Sequence, residues 1–449
     1  MSILDIASSF AGNSLTFFIG TGLSKHLTDG RAPSWLELLV ECTKRIDKEN
    51  KLLTELFILD NEGEVIEANL ELTICAQILE LEYRKEQKNI REEIASIINE
   101  VINEETINKD KVVELRSLIE MNPNLNIITT NYDTLLSDYV IPEDRRVFVE
   151  GLPYGRANSG INIYHVHGSI EQPESIVLTI NDYFNFQHKE NYFSKKLYTL
   201  LQETTVAVIG YSLSDFNLNK VFNEVRNTRT ESLRKTDIYY ITRTSIDQIL
   251  KRYYFSSYGV EIIENYSISK FVKQVQKKYP KAKSFIVDQV PELKDVLNGN
   301  KEYSDDEIKL KGFLRRLILR AYLLGISIKN EKFQRLLVDI LEKKKSFTRE
   351  SNAWDQYTHF AKWLIQIGSS LVIPNSYIED EYVDFVNYSL RTMSRELYIG
   401  SAWAAYEVWE SQWEDLKMEN RELILNLMRE KTYDSKTGVP ILLKKYKTI

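Results

Sequence analysis

The hydrophobic positions fall into two regimes along the chain. Over roughly the first 285 residues, short apolar runs rich in β-branched and aromatic side chains recur at Leu15–Ile19, Leu125–Thr129, Ile163–Val166, Ile176–Ile180, Val206–Ile209, Ile238–Thr242 and Val260–Ile263. Runs of this length and content predict buried strands. Between several of them lie stretches with apolar residues at three- and four-residue offsets, Tyr192–Glu203, Leu218–Arg226 and Thr244–Tyr253, which predict helices. The alternation predicts an open, Rossmann-like parallel α/β sheet with helices on its faces.

One gap breaks the rhythm. After Leu15–Ile19 the next strand-like run does not arrive until Leu125, and the interval carries helical patterns at Leu36–Lys44, Leu70–Leu81 and Ile90–Ile102. A single crossover needs only about a dozen residues, so the interval, about 36–120, predicts an inserted helical subdomain. The second regime begins after a segment holding Pro280, Pro291 and Gly299. The expected layout is an α/β domain over 1–285, a linker over 286–302 and a mostly α-helical domain over 303–449. In that last part Ser304-Asp305-Asp306-Glu307 fits a capping box, Gly325 a helix stop, and Phe333, Leu336, Leu337, Ile340 and Leu341 one helix face. Five of the six tryptophans lie there, at 354, 363, 403, 409 and 413, and the default for such residues is core. Ala405, Trp409 and Trp413 share one face, a stripe suited to core or contact.

The chain's 449 residues, 43% hydrophobic and 27% charged, have the composition of a two- or three-domain globular protein. The formal net charge of −7 argues against generic nucleic-acid binding. Cys42 and Cys75 are the only cysteines, too few for a disulfide framework or a tetrathiolate zinc site, so a reducing, cytoplasmic setting and no metal are expected. The amino-terminal stretch has no basic leader, and no apolar run approaches the roughly 18 residues that span a bilayer.

Four predicted strand ends carry polar residues that folding alone does not require: Gly20-Thr21-Gly22-Leu23-Ser24, Thr129-Thr130-Asn131-Tyr132-Asp133, His165-Val166-His167-Gly168-Ser169 and Gly210-Tyr211-Ser212-Leu213-Ser214-Asp215. In an open parallel sheet ligands bind outside the carboxyl ends of the strands, so the four turns are expected to meet at one site. Glycines at 20 and 22, directly after a strand, suit close approach of a diphosphate to backbone amides, although a tight strand-to-helix turn explains them equally. Asn131 as a turn or cap residue and His167 as a structural histidine are the corresponding plain readings.

Taken together the turns resemble the sirtuin family. Its GAGxS turn is similar to Gly20-Thr21-Gly22-Leu23-Ser24, its QNxD segment to Thr130-Asn131-Tyr132-Asp133, its HG to His167-Gly168 and its later Gly/Ser turn to Gly210-Tyr211-Ser212, in the same order. Pro33-Ser34-Trp35, TTNYD, Asn181-Asp182-Tyr183 and the Ile209–Asn217 run resemble the bacterial defence-associated branch, whose members hydrolyse NAD+ on phage infection. The resemblance implies NAD+ as substrate, Asn131, His167 and Asp133 as catalytic residues, and Gly20, Thr21, Gly22, Ser24, Trp35, Gly168, Gly210, Ser212 and Asp215 as nucleotide-binding residues. It also implies restraint of the activity by homo-oligomerisation, or by a HerA-type ATPase, an Argonaute or a phage-protein trigger. Thr130 stands where deacylases carry glutamine, and their zinc module of two CxxC pairs is absent. An NAD-dependent deacylase or ADP-ribosyltransferase is therefore the second reading, and a non-catalytic nucleotide-binding scaffold the third.

Overall fold

The computed structural model describes residues 2–47, 49–141, 143, 145–153, 160–188, 192–212, 216–228, 238–394 and 402–446. It divides into two compact units, one over Met1–Thr228 and Thr236–Lys283 and one over Ser284–Ile449.

The first unit runs α1 (Ser2–Ala11), β1 (Leu15–Ile19), α2 (Thr21–Leu27), α3 (Trp35–Ile46), α4 (Lys51–Leu56), β2 (Phe57–Leu59), β3 (Val65–Ala68), α5 (Leu72–Lys85), α6 (Ile90–Val101), α7 (Lys109–Ile119), β4 (Asn126–Thr129), β5 (Arg145–Phe148), β6 (Ile161–His165), α8 (Ile180–His188), α9 (Tyr192–Glu203), β7 (Thr205–Ile209), α10 (Phe216–Thr228), β8 (Ile238–Ile241), α11 (Gln248–Tyr258), β9 (Val260–Ile263) and α12 (Ile268–Ser284). Seven strands form one sheet in the order β5-β6-β4-β1-β7-β8-β9, every neighbouring pair parallel. All five residues of β1 are buried, as the central strand of a doubly covered sheet requires. Alternate residues serve opposite faces. Phe17 and Ile19 pack with Ile127, Ala207 and Ile209 against α1, α7 and α12, whereas Phe18 packs with Ile128, Val206 and Val208 against α9 and α10. From β1 the chain passes to β4 beside it, goes out to the edge strand β5, returns to β6 between β5 and β4, and then crosses to β7 on the other side of β1. The reversal of strand order at β1/β7 is where an α/β sheet opens a ligand crevice.

The inserted subdomain has its own core, in which Leu38, Leu39 and Cys42 of α3, Leu53 and Leu56 of α4, Cys75, Ala76, Leu79 and Tyr83 of α5, and Ile94, Ile97 and Ile98 of α6 pack together. It also holds an antiparallel β2–β3 hairpin that helical periodicity does not announce. α7 lies within the interval predicted as insertion but buries Val112, Leu115, Leu118 and Ile119 in the sheet's core. Two further differences have physical reasons. Ile176–Ile180 is not a strand: Ile176 and Leu178 insert into the subdomain's core, and α8 starts at Ile180. β5 was not expected because an edge strand opening on Arg145 and Arg146 lacks an apolar run.

The second unit is helical among its described residues, with α13 (Val290–Leu297), α14 (Asp305–Lys309), α15 (Phe313–Leu323), α16 (Glu331–Phe347), α17 (Trp354–Ser370), α18 (Glu379–Thr392), α19 (Trp403–Ser411), α20 (Met418–Glu430) and α21 (Val439–Lys445). The stretch expected as a linker is helical over much of its length, and Leu293 joins this unit's core. The Ser304–Glu307 capping box is formed. Trp363, Trp409 and Trp413 are buried, so the Ala405/Trp409/Trp413 stripe is core, while Trp354 and Trp403 are about half exposed.

Candidate functional site

The turns after β1 and β7 lock into each other. The amide of Gly20 donates to the Ile209 carbonyl at 3.0 Å and that of Gly22 to the Gly210 carbonyl at 2.7 Å. A Cβ on Gly22 would lie 2.7 Å from the Gly210 Cα, and one on Gly210, whose φ is +65°, would lie 2.5 Å from the Leu23 nitrogen. These glycines are required because two backbones touch. Both N–H groups that could face a diphosphate thus have carbonyl partners in this structure. Gly168, at φ +83°, has a comparable role: a Cβ there would strike the Ser175 carbonyl.

Directly after this lock, α2 carries Ser24 inward, one turn into the helix. Its hydroxyl joins two residues of the β4 turn more than a hundred positions away. Asn131 Nδ2 donates to Ser24 Oγ at 2.8 Å, and Ser24 Oγ donates to Asp133 Oδ2 at 2.6 Å. The other Asp133 oxygen accepts the Leu135 amide at 3.1 Å. Burial pushes the Asp133 carboxyl above its ordinary range, opposed by these two donors. Because Ser24 gives its one proton to Asp133, it must accept from Asn131, which fixes the amide's orientation. Asn131 Oδ1 is left buried and without a partner. The turn itself is held by the Thr130 amide on the Ile19 carbonyl and by Asn131 N–H on Thr129 Oγ1.

His165, at the end of β6, was not singled out from the sequence. It is fully buried, and its Nδ1 lies 3.0 Å from the Asn131 carbonyl. A carbonyl only accepts, so Nδ1 carries the proton and Nε2 the lone pair. Burial pulls its pKa down to about 4, so the ring is neutral at physiological pH. The signal available was the His165-Val166-His167 alternation, which places two imidazoles two residues apart at a strand end. His167 itself reaches the cavity, half-buried, with the Tyr183 and Phe186 rings at 5.3 and 5.6 Å.

A cavity of about 1110 Å³ opens on these groups. Its sheet-end wall comprises Thr21, Ser24, Thr130, Asn131, Tyr132, Asp133, His167, Tyr211 and Ser212, with Lys220 of α10 bringing a cation that sequence reasoning did not select. The facing wall comes from the insertion: Trp35, Leu36 and Leu38 of α3, Glu71, Leu72 and Thr73 at the start of α5, and Ile98 and Ile102 from the end of α6. Ser34 caps α3 in a full capping box with Glu37, which sets Trp35 at the cavity mouth. The insertion is clamped to the sheet domain by Arg91 of α6, whose guanidinium pairs with Glu80 at 2.5 Å and with Asp182 of α8 at 2.6 Å. Thus Thr21, Ser24, Trp35, Asn131, Asp133, His167 and Ser212 line one cavity. Gly20, Gly22, Gly168 and Gly210 shape the turns behind them, and Asp215 lies outside the described residues. Among the described residues no three His, Cys, Asp or Glu side chains are grouped to hold a metal ion, and Cys42 and Cys75 sit in the insertion's core.

A seven-stranded parallel sheet with a polar, partly unsatisfied cluster at its switch point is a Rossmann-like α/β architecture, and residues 125–263, from β4 to β9, match the model of the SIR2-like domain. That stretch is similar to a SIR2-like domain, in keeping with the resemblance of the four turns to the sirtuin family. The chain is 26% identical to Defense-associated sirtuin 2 of Bacillus subtilis over 59% of this chain and 24% of that protein. It is 27% identical to NAD(+) hydrolase ThsA of Bacillus cereus over 31% of this chain and 30% of that protein, and 26% identical to NAD(+) hydrolase ThsA of Enterococcus faecium over 48% and 41%. The matched part spans less than half the length of each of these relatives.

Proposed function

We propose that this chain is an NAD+ hydrolase, cleaving NAD+ to nicotinamide and ADP-ribose, and that it acts as the effector of a bacterial anti-phage system by depleting NAD+. The observation that carries the reading is Asn131 Oδ1. It is a buried acceptor without a partner, on a side chain that Ser24 holds in place and that lines the switch-point crevice. The names of the relatives add the substrate.

Cleavage of the nicotinamide–ribose bond passes through an oxocarbenium-like state, which needs an oriented ribose, nearby negative charge and one water. Asn131 Oδ1 accepts a ribose hydroxyl and holds the anomeric carbon in place. Asp133 acts from behind through Ser24, with both its oxygens already engaged. As the C1′–N bond breaks, its electron pair leaves with neutral nicotinamide. The water oxygen bonds to C1′, and the proton passes to His167 as general base. Lys220, beside Tyr211 and Ser212, offsets the charge of the diphosphate. The second unit serves assembly or control, through self-association or a partner; its buried Trp409 and Trp413 leave exposed positions such as Trp354 and Trp403 for such a contact.

The test is to follow nicotinamide and ADP-ribose from NAD+ with the wild type, Asn131→Ala and His167→Ala. Both variants should melt like the wild type and lose cleavage by 10²-fold or more, the usual scale for removing one transition-state contact or general base. Near-normal turnover by either folded variant removes its assigned role. A strict requirement for an acylated peptide would instead favour the deacylase.

A further inference from the structure

Besides Glu71, the mostly apolar insertion wall includes two residues that each hold a buried polar atom with no partner in the protein: Trp35 with Nε1 and Thr73 with Oγ1. We propose that Trp35 and Thr73 are specificity-determining contacts that read an uncharged hydrogen-bond acceptor carried on the aromatic base of the ligand; this rests on the NAD+ reading above, where that group is the carboxamide carbonyl of the pyridinium.

The indole N–H is a donor only, and a hydroxyl donates as readily as it accepts. A buried donor left unsatisfied costs about 1–3 kcal/mol, and an acceptor on the ligand recovers it. Thr73 lies in the first turn of α5, a fourteen-residue helix, and is itself 8% exposed. No side chain caps that helix, so its start favours an acceptor. Glu71, the residue immediately before it, also lines the cavity, and its carboxylate disfavours an anion there. An uncharged carbonyl meets both conditions; a carboxylate meets only the first. The body of the ligand is set by the neighbours. Trp35 lies 6.2 Å from Tyr183, which lies 5.3 Å from His167, a row of rings suited to a planar heterocycle, with Leu36 and Leu38 beside it. The indole N–H lies in its ring plane, so an acceptor at the edge of a ring beside Trp35 meets it.

The test uses the full chain and four dinucleotides: NAD+, its analogue with acetyl in place of the carboxamide, the analogue with an unsubstituted pyridinium, and the analogue with a carboxylate. Dissociation constants are measured by calorimetry for the wild type, Trp35→Phe, Thr73→Val and Thr73→Ser, each also carrying His167→Ala so that the bound dinucleotide is not cleaved, with a thermal melt of each. The wild type should bind NAD+ and the acetyl analogue about tenfold tighter than the unsubstituted and carboxylate analogues. Trp35→Phe should shrink that preference to about twofold or less. Thr73→Val should reduce it about threefold, and Thr73→Ser should restore it. A structural role would weaken all four ligands together and leave the ratios unchanged. If NAD+ binds but the ratios are the same in wild type, Trp35→Phe and Thr73→Val, the inference is overturned while the NAD+ reading stands. If the wild type binds none of the four dinucleotides, both fall. Equal binding of the carboxylate and carboxamide also overturns it. Should Trp35→Phe not fold, the Thr73 pair decides.

Discussion

The two walls of the cavity are built on opposite plans. The sheet-end wall is a chain of mutual constraints: turns whose backbones touch, then Asn131, Ser24 and Asp133 linked in series, with His165 holding the Asn131 carbonyl from beneath. The insertion wall is mostly leucine and isoleucine around isolated polar atoms, joined to the sheet domain by Arg91. In the proposed reaction, chemistry that needs one geometry sits where main chain and hydrogen bonds remove freedom, while discrimination among ligands falls to the wall with few polar groups. The two functions are therefore separable by mutation.

The largest effect is expected where the rigid wall has no room. Gly210→Ala places a Cβ against the Leu23 nitrogen at a positive φ, combining left-handed strain with a backbone clash, and should cost about 4 kcal/mol in denaturant unfolding of the first unit. A variant within about 1 kcal/mol of wild type would mean that the two turns part easily.

The next is a pH effect. His165 is held neutral, with a pKa drawn from its ordinary 6.5 to about 4, so between these values the unfolded chain binds the proton and the native chain does not. The stability this arrangement has above pH 6.5 is lost as pH falls toward 4, by about 3 kcal/mol at 1.36 per pH unit. Asp133 acts in the opposite sense: its raised pKa adds stability at low pH that disappears as pH rises through the native value. Comparing unfolding of wild type and His165→Asn isolates the histidine, because Asp133 contributes to both. The wild-type curve should fall more steeply between pH 6.5 and 4; parallel curves would show that His165 does not titrate as described.

A smaller effect is expected from Ser24→Ala, which leaves the Asn131 amide unsteered and Asp133 Oδ2 without its donor. It should lower kcat for NAD+ about tenfold to a hundredfold with KM changed less, because it alters the aim of a contact and not the cavity's outline. A KM-only change would put Ser24 on the binding side.

What the sequence disclosed follows from where chemistry is forced to lie. Polar residues placed directly after apolar strands are costly unless a crevice uses them, so the four turns stood out and their meeting could be argued from parallel topology alone. The glycines were legible as a requirement but not as a cause: the contact of Gly22 with the Gly210 backbone joins turns far apart in the chain. The Ser24–Asp133 bond joins positions 109 apart, which a periodic pattern cannot reveal. Thr73 in a helix and His165 in a strand look ordinary, because their distinction is an unpaired atom. Ile176 and Leu178 imitate a strand because they fill a neighbouring core.

The central claim is that Asn131 Oδ1 organises cleavage of a nicotinamide–ribose bond. It is tested most directly by chromatographic measurement of both products from NAD+, with the full-length wild type beside Asn131→Ala. The account predicts nicotinamide and ADP-ribose in equal amounts from the wild type and neither from the variant, with NAD+ still bound by both. Equal turnover by the folded variant, or NAD+ left intact and unbound by the wild type, would contradict it.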